Sequence, residues 1–422
     1  MDRFTSFNLN AKVAMGIKAA GFMTPTPIQV KAIPSVMEGR DVMGLAQTGT
    51  GKTAAFVLPI LHRLMEGKRG RVRALILAPT RELAEQIHQS IETLAQATNL
   101  RSVAVYGGVS INNQIQKLNR GADIVVACPG RLLDHIKQGT IDLKFLEVLV
   151  LDEADHMFDM GFLPDIRRIL QHIPHKRQTL LFSATMPSAI RKLAKDILID
   201  PKIIQVSYAV PAERVTHALY PIAQQLKTRL LQALLQHTDT ASVLIFTRTK
   251  QRAKRLGEQL IKSGHRAASL QGNLSQNRRQ AALNGFRDGT FQILVATDIA
   301  ARGIDVSQVS HVINYDMPDT PEAYIHRIGR TGRAARSGDA FTLVTDEDRA
   351  MVRTIERSLG YALERCTVDH FNYNDPQVMH DQAFGRAPRQ HIPRSNRPVA
   401  AKRRNHETTG HSSRFKTPYK TR

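Results

Sequence analysis

The sequence predicts an α/β protein with two consecutive domains, each built on a mainly parallel β-sheet with helices on both faces, followed by a basic tail. Short apolar runs end in small or polar residues, the pattern restarts halfway along the chain, and it fades beyond about Cys366. A strand covered on both faces is apolar at every position rather than at alternate ones, as in parallel sheets between helices.

Five such runs in the first half are each followed by a helix-like segment: DVMGLAQTG, RALILAPTR, ADIVVACPG, VLVLDEAD and QTLLFSAT. Five more follow after about Ser207: SVLIFTRTK, RAASLQG, FQILVATD, HVINYD and DAFTLVT. The segment QVSYAVPAERV between the two sets contains Pro211 and charged residues, which is typical of a linker. We therefore expect domains at residues 1–207 and 208–365 and a tail at 366–422.

The tail differs from the domains in composition. From Arg386 onward it holds eleven Lys or Arg residues and one acidic residue, Glu407, a net charge of +10. Such a segment buries too little apolar surface to offset its ordering entropy, so we predict that it is disordered. Its positive charge favours tethering of a nucleic acid, and the alternative is a solubilising extension.

The charge of the whole chain indicates a polyanionic partner. Its 422 residues include 59 Lys and Arg against 37 Asp and Glu, a net charge of +22. Nucleic acid is the expected partner, with a membrane surface or solubility alone as alternatives. We find neither an apolar run of ~20 residues for a membrane span nor the apolar core of a signal peptide. Two cysteines, Cys128 and Cys366, fit a reducing compartment, so we expect a cytoplasmic protein.

The segment AQTGTGKT at residues 46–53 follows the first predicted strand and is a candidate phosphate-binding loop. Lys52 would reach the β and γ phosphates of ATP, and the Thr53 hydroxyl would meet Mg²⁺. A helix beginning here would add the positive end of its dipole. Backbone N–H groups of the small loop residues would surround the phosphates: Ala46, Gln47, Thr48, Gly49, Thr50 and Gly51. Ala46 stands where the general pattern has Gly, and the alternative is a chance glycine-rich turn.

The segment VLVLDEADHMF places Asp152, Glu153 and Asp155 directly after a predicted strand. Like charges this close call for positive charge nearby. Beside a phosphate loop, one such carboxylate holds Mg²⁺ and another acid orients the attacking water, so we assign Asp152 to the metal and Glu153 to the general base. HRIGRTGR at residues 326–333 offers the positive charge for the transition state. An exposed acidic turn would be the simpler interpretation of DEAD alone.

In this order, the motifs resemble those of the DEAD-box RNA helicases of superfamily 2, from residue 4 to about 345. The resemblance implies tandem RecA-like domains and an RNA-dependent ATPase that locally unwinds short RNA duplexes. RNA contacts would be mainly to the backbone and independent of base sequence. The short N-terminus and basic tail resemble bacterial RhlE-type members, whose usual settings are ribosome assembly and RNA turnover.

The resemblance also implies roles for individual residues. GFMTPTPIQ resembles the Q motif, in which Gln29 would hydrogen-bond adenine and Phe4, seventeen residues before Gly21, would support it. In the second domain, Gly303 and Asp305 would contact the nucleotide, Asp305 at the ribose. Arg330 and Arg333 would reach the γ-phosphate.

Two further groups are implied by the same resemblance. The ATP state would be coupled to domain closure through the SAT segment and its neighbours: Asp155, Ser183, Thr185 and His326. RNA would contact both domains: Pro79, Thr80, Arg81, Gly108, Pro129, Gly130, Arg131, Thr247, Arg248, Gly272, Arg279 and Thr297. Cys128 stands where this motif usually has Thr, so a hydroxyl contact to RNA is in doubt there.

Two rival interpretations remain open at this point. An ATP-gated RNA clamp or scaffold with little turnover would share these motifs, although intact Lys52, Glu153, Arg330 and Arg333 weigh against it. A helicase acting on DNA is the other, and the Q motif and DEAD favour RNA by resemblance only.

Overall fold

The computed structural model describes residues 3–46, 49–206, 215–238, 241–301, 309–332 and 338–374. The predicted linker at 207–214 and the tail beyond residue 374 lie outside these ranges. Five of the predicted site residues do so as well: Gln47, Thr48, Gly303, Asp305 and Arg333. The described residues form two lobes, 3–206 and 215–374, and each lobe contains a seven-stranded sheet.

All neighbouring strands of the first lobe are parallel, in the order β3-β4-β2-β5-β6-β1-β7. The strands are β1 Val42–Leu45, β2 Ala74–Leu77, β3 Ser102–Val105, β4 Ile124–Ala127, β5 Val148–Leu151, β6 Gln178–Ser183 and β7 Lys202–Gln205. The helices are α1 Ala11–Ala19, α2 Pro27–Met37, α3 Lys52–Leu64, α4 Arg81–Ala95, α5 Ile111–Asn119, α6 Pro129–Lys137, α7 Ala154–Asp159, α8 Leu163–Leu170 and α9 Ser188–Ile197.

The first sheet is covered on both faces. Successive residues of a strand point to opposite sides, so Ile76 and Val150 join one core with α3 and α4, while Leu75 and Leu149 join another with α6, α8 and α9. Because the strands are parallel, the segments that follow β1, β2, β4, β5 and β6 meet at one edge of the sheet. Among the described residues, the predicted site residues of this lobe other than Phe4 and Gln29 lie at or near that edge.

The second lobe repeats the architecture with parallel neighbours in the order β10-β11-β9-β12-β13-β8-β14. The strands are β8 Val215–Pro221, β9 Val243–Phe246, β10 Ala267–Leu270, β11 Ile293–Ala296, β12 His311–Asn314, β13 Gly338–Val344 and β14 Glu364–Arg365. The helices are α10 Lys227–His237, α11 Lys250–Lys262, α12 Gln276–Arg287, α13 Asp298–Ala301, α14 Pro321–Ile328 and α15 Arg349–Leu359.

The two parallel sheets confirm the predicted α/β class, and each of the ten apolar runs contains a strand. Four strands were not predicted: β3, β7, β8 and β14. At the two margins of their sheet, β3 alternates buried with partly exposed residues and β7 is mostly exposed, so neither has a continuous apolar run. Strand β14 has two residues and follows β8 as the last strand of its sheet.

The folded chain continues past Cys366, whose N–H donates to the carbonyl of Leu219 at 2.8 Å. The rings of Phe371 and Tyr373 then contact each other, with centroids 4.9 Å apart. Within the described residues, no helix has the length and apolar character needed to cross a membrane.

Candidate functional site

The described part of the phosphate loop joins the end of β1 to the first residue of α3, Lys52. Gly51 has φ +90°, and a Cβ atom there would lie 2.5 Å from Nε2 of Gln29, so only glycine fits without strain. The buried Lys52 ammonium donates to the carbonyl of Ala46 at 2.8 Å. Thr53 is the second residue of α3, where free N–H groups and the helix dipole favour an anion.

Gln29 is buried and its amide is held by backbone on both sides. Its Oε1 accepts from the N–H of Thr26 at 2.9 Å, and its Nε2 donates to the carbonyl of Gly51 at 3.0 Å. A primary amide has two donor and two acceptor positions, so one of each remains beyond these bonds. That pair matches the donor and acceptor of the adenine edge, which glutamine recognises in nucleic acids.

Phe4 lies in a 3₁₀ turn, Phe4–Phe7, and is buried. It stacks on Phe22, with ring centroids 6.1 Å apart and planes 24° apart. Phe22 itself is 41% exposed and belongs to the same motif as Gln29, so an aromatic surface is available in the predicted Q motif.

The three carboxylates after β5 are all buried. Burial, with the charges of Glu153 and Asp155, raises the pKa of Asp152 to about 6, although the charge of Lys52 opposes this shift. Burial also acts on Glu153, but a hydrogen bond from His156 and the charges of Lys52 and Arg330 lower its pKa to about 2. Glu153 is therefore ionised at neutral pH and can accept a proton.

Asp152 is suited to a Mg²⁺ ion that is held partly by the nucleotide, rather than to a structural metal held by protein side chains alone. In the described ranges no group of three His, Cys, Asp or Glu residues could hold a metal. Mg²⁺ is commonly held by one or two carboxylates, with waters and substrate phosphates completing its coordination. The raised pKa of Asp152 indicates that its buried charge is incompletely compensated, which a cation near Asp152 and Thr53 would correct.

Three of the predicted coupling residues form one hydrogen-bonded group. Oδ2 of Asp155 accepts from the N–H of Thr185 at 2.8 Å and from its hydroxyl at 2.9 Å. The Ser183 hydroxyl donates to the carbonyl of Thr185 at 2.7 Å and accepts from the N–H of Asp155 at 3.2 Å. Strand β6 lies between β5 and β1, and the Ser183 carbonyl accepts from the N–H of Ala46 at 3.0 Å. The SAT segment thus joins the carboxylates to the phosphate loop.

A cavity of about 750 Å³ separates these groups from α14 of the second lobe. Glu153, Asp155 and Thr185 line it from one side, and His326 and Arg330 from the other. Arg330 is buried, and its charge contributes to the low pKa of Glu153. The structure therefore brings the described catalytic candidates to one place between the lobes.

A second cavity between the lobes, of about 530 Å³, collects most of the predicted RNA contacts. Those on its wall come from both lobes: Pro79, Thr80, Arg81, Gly130, Arg131, Arg248, Gly272, Arg279 and Thr297. The other three lie nearby: Pro129 starts α6, Thr247 follows β9, and Gly108 packs under Arg81. A Cβ atom on Gly108 would lie 1.7 Å from Nη1 of Arg81.

The thiol of Cys128 also lines this cavity. Burial and the charge of Glu82 raise its pKa to about 12, although Arg81 opposes them. The group is therefore a neutral thiol at physiological pH and a weaker hydrogen-bond donor than a hydroxyl.

Glu82 is a functional candidate that the sequence reasoning missed. Its Oε1 accepts from Nε of Arg279 at 2.7 Å, an ion pair between the two lobes in which both side chains are largely buried. Gln276 approaches the same oxygen at 3.5 Å. In the sequence, Glu82 is marked only by its place after Arg81 in PTREL, and an acidic residue is not expected to contact RNA phosphates.

Arg327, in HRIGRTGR, was missed as well. It pairs with Asp298 through two hydrogen bonds of 2.7 and 2.6 Å, and its third nitrogen donates to Asn314 and to the carbonyl of Asp316. These partners all belong to the second lobe, and the bonds to them hold α14, the helix that carries Arg327 and His326, in position.

Comparisons with known proteins agree with this arrangement. Residues 26–193 match the family model described as DEAD/DEAH box helicase, and residues 226–335 match the helicase conserved C-terminal domain. The chain is 44% identical over 359 residues to the ATP-dependent RNA helicase CshA of Listeria monocytogenes, covering 85% of this chain and 69% of that protein. It is 45% identical over 368 residues to the RNA helicase CrhR of Synechocystis, covering 86% and 74%.

Among solved structures, S. cerevisiae Dbp5 bound to RNA and ADP BeF3 matches with a TM-score of 0.80 and 31% identity. The match covers 87% of this chain and 96% of that one, so it includes both lobes.

Proposed function

We propose that this chain, which belongs to the DEAD-box family of ATP-dependent RNA helicases, hydrolyses ATP in response to RNA and thereby unwinds short duplexes or remodels RNA–protein complexes. The observation that carries the catalytic assignment is the position of Glu153: its buried, ionised carboxylate follows Asp152 and faces Arg330 across the cavity between the lobes.

In the proposed reaction, the oxygen of a water molecule bonds to the γ-phosphorus while the bond from that phosphorus to the β-phosphate oxygen breaks. Glu153 accepts the proton that the water loses. Lys52 and Arg330, with Arg333, offset the negative charge on the phosphate oxygens. Asp152 and Thr53 would hold Mg²⁺, which supplies further positive charge to the β and γ phosphates.

Nucleotide selection rests on the remaining polar positions of Gln29 and on Phe4 and Phe22. The loop residues 46–53 would surround the phosphates, and Gly303 and Asp305 would complete the site from the second lobe. Asp155, Ser183, Thr185 and His326 would couple the occupied site to the closure of the lobes.

RNA dependence follows from the position of the second cavity. RNA bound to Arg81 and Arg131 of the first lobe and to Arg248 and Arg279 of the second would favour the closed state over the open one. Since Arg330 completes the catalytic site from the second lobe, closure raises the rate of hydrolysis.

We place the activity in the cytoplasm, in ribosome assembly or RNA turnover, and retain the domain boundaries 1–207, 208–365 and 366–422 as proposals. The subgroup assignment to RhlE-type members stays a prediction on the same terms.

The decisive experiment replaces the base. Glu153→Gln should retain ATP and RNA binding and lose RNA-stimulated hydrolysis, because an amide cannot accept the proton of the water. Binding is measured with fluorescent ATP and RNA, and turnover by phosphate release. Normal turnover in this variant would show that another group is the base.

A clamp with little turnover is the second candidate, and the buried ionised Glu153 opposes it. An ATPase titration of the full chain with single-stranded RNA, duplex RNA and DNA separates the two and identifies the ligand class. Turnover that stays at the basal rate with every nucleic acid would favour the clamp.

A further inference from the structure

His156, the residue after DEAD, contacts the proposed base. Its Nδ1 lies 3.2 Å from Oε2 of Glu153, and both side chains are buried. Glu153 immediately precedes α7, and His156 lies three residues later in the first turn of this helix. No motif considered above assigns a role to His156.

The roles of the two atoms follow from their chemistry. A carboxylate that is to take a proton from water can only accept a hydrogen bond beforehand, so the hydrogen in this 3.2 Å contact belongs to Nδ1. The other ring nitrogen, Nε2, is buried and finds no hydrogen-bond partner among the described residues. The polar contact of the ring is therefore directed at Glu153.

The backbone on each side of this contact is also fixed. Glu153 has φ +51°, its N–H donates to Asp152 at 3.0 Å, and its carbonyl accepts from the N–H of Met157 at 3.0 Å. The N–H of His156 donates to Oδ1 of Asp155 at 3.1 Å, while Oδ2 of Asp155 is bound by the SAT segment. A continuous chain of contacts thus runs from Thr185 to the carboxylate of Glu153.

We propose that His156 is a positioning residue for hydrolysis: its Nδ1–H holds one oxygen of Glu153 so that the other oxygen is presented to the attacking water. The inference rests on the proposed role of Glu153 as the base. The side chain of Glu153 has three rotatable bonds, so fixing one carboxylate oxygen removes rotamer freedom. Because this entropy is lost before the water binds, it does not add to the barrier of the reaction.

Three substitutions separate this role from simple packing. His156→Asn keeps an N–H donor close to the position of Nδ1, His156→Gln carries its amide farther out, near Nε2, and His156→Leu keeps bulk without a donor. With saturating RNA, we expect kcat to stay within about threefold in the Asn variant and to fall roughly tenfold to a hundredfold in the Leu and Gln variants, since bonds to a charged group are the strong ones. The Kd values for ATP and RNA should not change.

A second readout does not depend on turnover. In protein labelled with ¹⁵N-histidine, the Nδ1–H signal of His156, identified by its loss in His156→Leu, should shift when Glu153 is replaced by Gln, because the charged acceptor is removed. An unchanged signal would overturn the contact.

The outcomes distinguish this inference from the proposed function. Equal kcat values for the Asn, Gln and Leu variants, in a protein that Glu153→Gln inactivates, would refute the positioning role and leave the base assignment intact. A parallel loss of ATP binding and thermal stability in the Leu variant, with no rescue by Asn, would show that His156 is only a packing residue. Full turnover in Glu153→Gln would remove the base assignment itself.

Discussion

Asp152 and Glu153 are adjacent, yet their pKa values are shifted in opposite directions, upward for Asp152 and downward for Glu153. Both are buried, but Glu153 has a hydrogen bond from His156 and the charge of Arg330 across the cavity, whereas Asp152 has two carboxylates beside it and Lys52. The proposed proton acceptor is thus ionised at neutral pH, while the proposed metal ligand is fully ionised only above pH 6 or when a cation is near.

We predict that Asp152→Asn stabilises the protein free of nucleotide and Mg²⁺ at pH 8 but not at pH 4. An acid whose pKa rises on folding, here from 3.8 to about 6, keeps its proton in the folded state after the unfolded chain has lost it. Stability therefore falls as the pH rises through this window, by on the order of 3 kcal/mol.

Thermal unfolding of both proteins between pH 4 and pH 8 tests this prediction, with the exposed Asp196→Asn as control. The difference in Tm should grow with pH up to about 6 and then level off. A difference that is constant with pH would contradict the raised pKa of Asp152.

At the scale of elements, the site consists of the turns that follow parallel strands. Arg81 starts α4, the helix that follows β2, and its guanidinium lies against Gly108, which follows β3. The glycine has φ +80°, and its missing Cβ leaves the space that the guanidinium fills.

Gly108→Ala should therefore weaken RNA binding about tenfold through the displacement of Arg81, the cost of a charge-assisted contact. Gly107→Ala is the matched control, because a Cβ atom there would lie 3.5 Å from Arg81, an ordinary contact. RNA affinity is measured by fluorescence anisotropy, with ATP affinity expected to be unchanged.

The double variant Gly108→Ala with Arg81→Ala should bind RNA no more weakly than Arg81→Ala alone, since the two changes remove the same contact. Additive losses would mean that Gly108 acts on RNA without Arg81.

The elements that carry the site were predictable because continuous apolar runs mark buried strands and parallel strands end at a common edge. Contacts made by residues distant in sequence were not. PTREL shows Glu82 beside Arg81, but nothing in the chain indicates that Glu82 pairs with Arg279 in the other lobe. Similarly, His156 directly follows DEAD, yet the sequence does not show that its ring turns back to Glu153, three residues earlier, which has a positive φ.

At the scale of the whole molecule, both cavities are formed by the two lobes together, and the Glu82–Arg279 pair crosses between the lobes beside the RNA candidates. A ligand that bridges the lobes acts at both cavities, which is the physical basis for coupling RNA binding to hydrolysis. The tail carries further positive charge, a net +10 between residues 386 and 422.

Truncation after Asn374 should weaken RNA binding and flatten its dependence on salt while leaving the maximal ATPase rate nearly unchanged. The cut is placed after the contacts of Cys366 and Tyr373, so the second lobe stays complete. Each tail cation that contacts a single-stranded RNA phosphate contributes about 0.7 to the slope of log K against log salt. Binding isotherms at several salt concentrations measure the slope, and equal slopes for both proteins would refute a tethering role.

The hydrogen bond from Gln29 to the carbonyl of Gly51 has a further consequence, for how nucleotides are told apart. The amide proposed to bind the base also holds the carbonyl of Gly51, the residue before Lys52, so its orientation is fixed by the phosphate loop. A guanine presents an acceptor where adenine presents a donor, and the amide can turn to match it only by breaking its bonds to Thr26 and Gly51. Selectivity for ATP would then be visible in kcat as well as in KM, because a mismatched base would disturb the loop that aligns the phosphates.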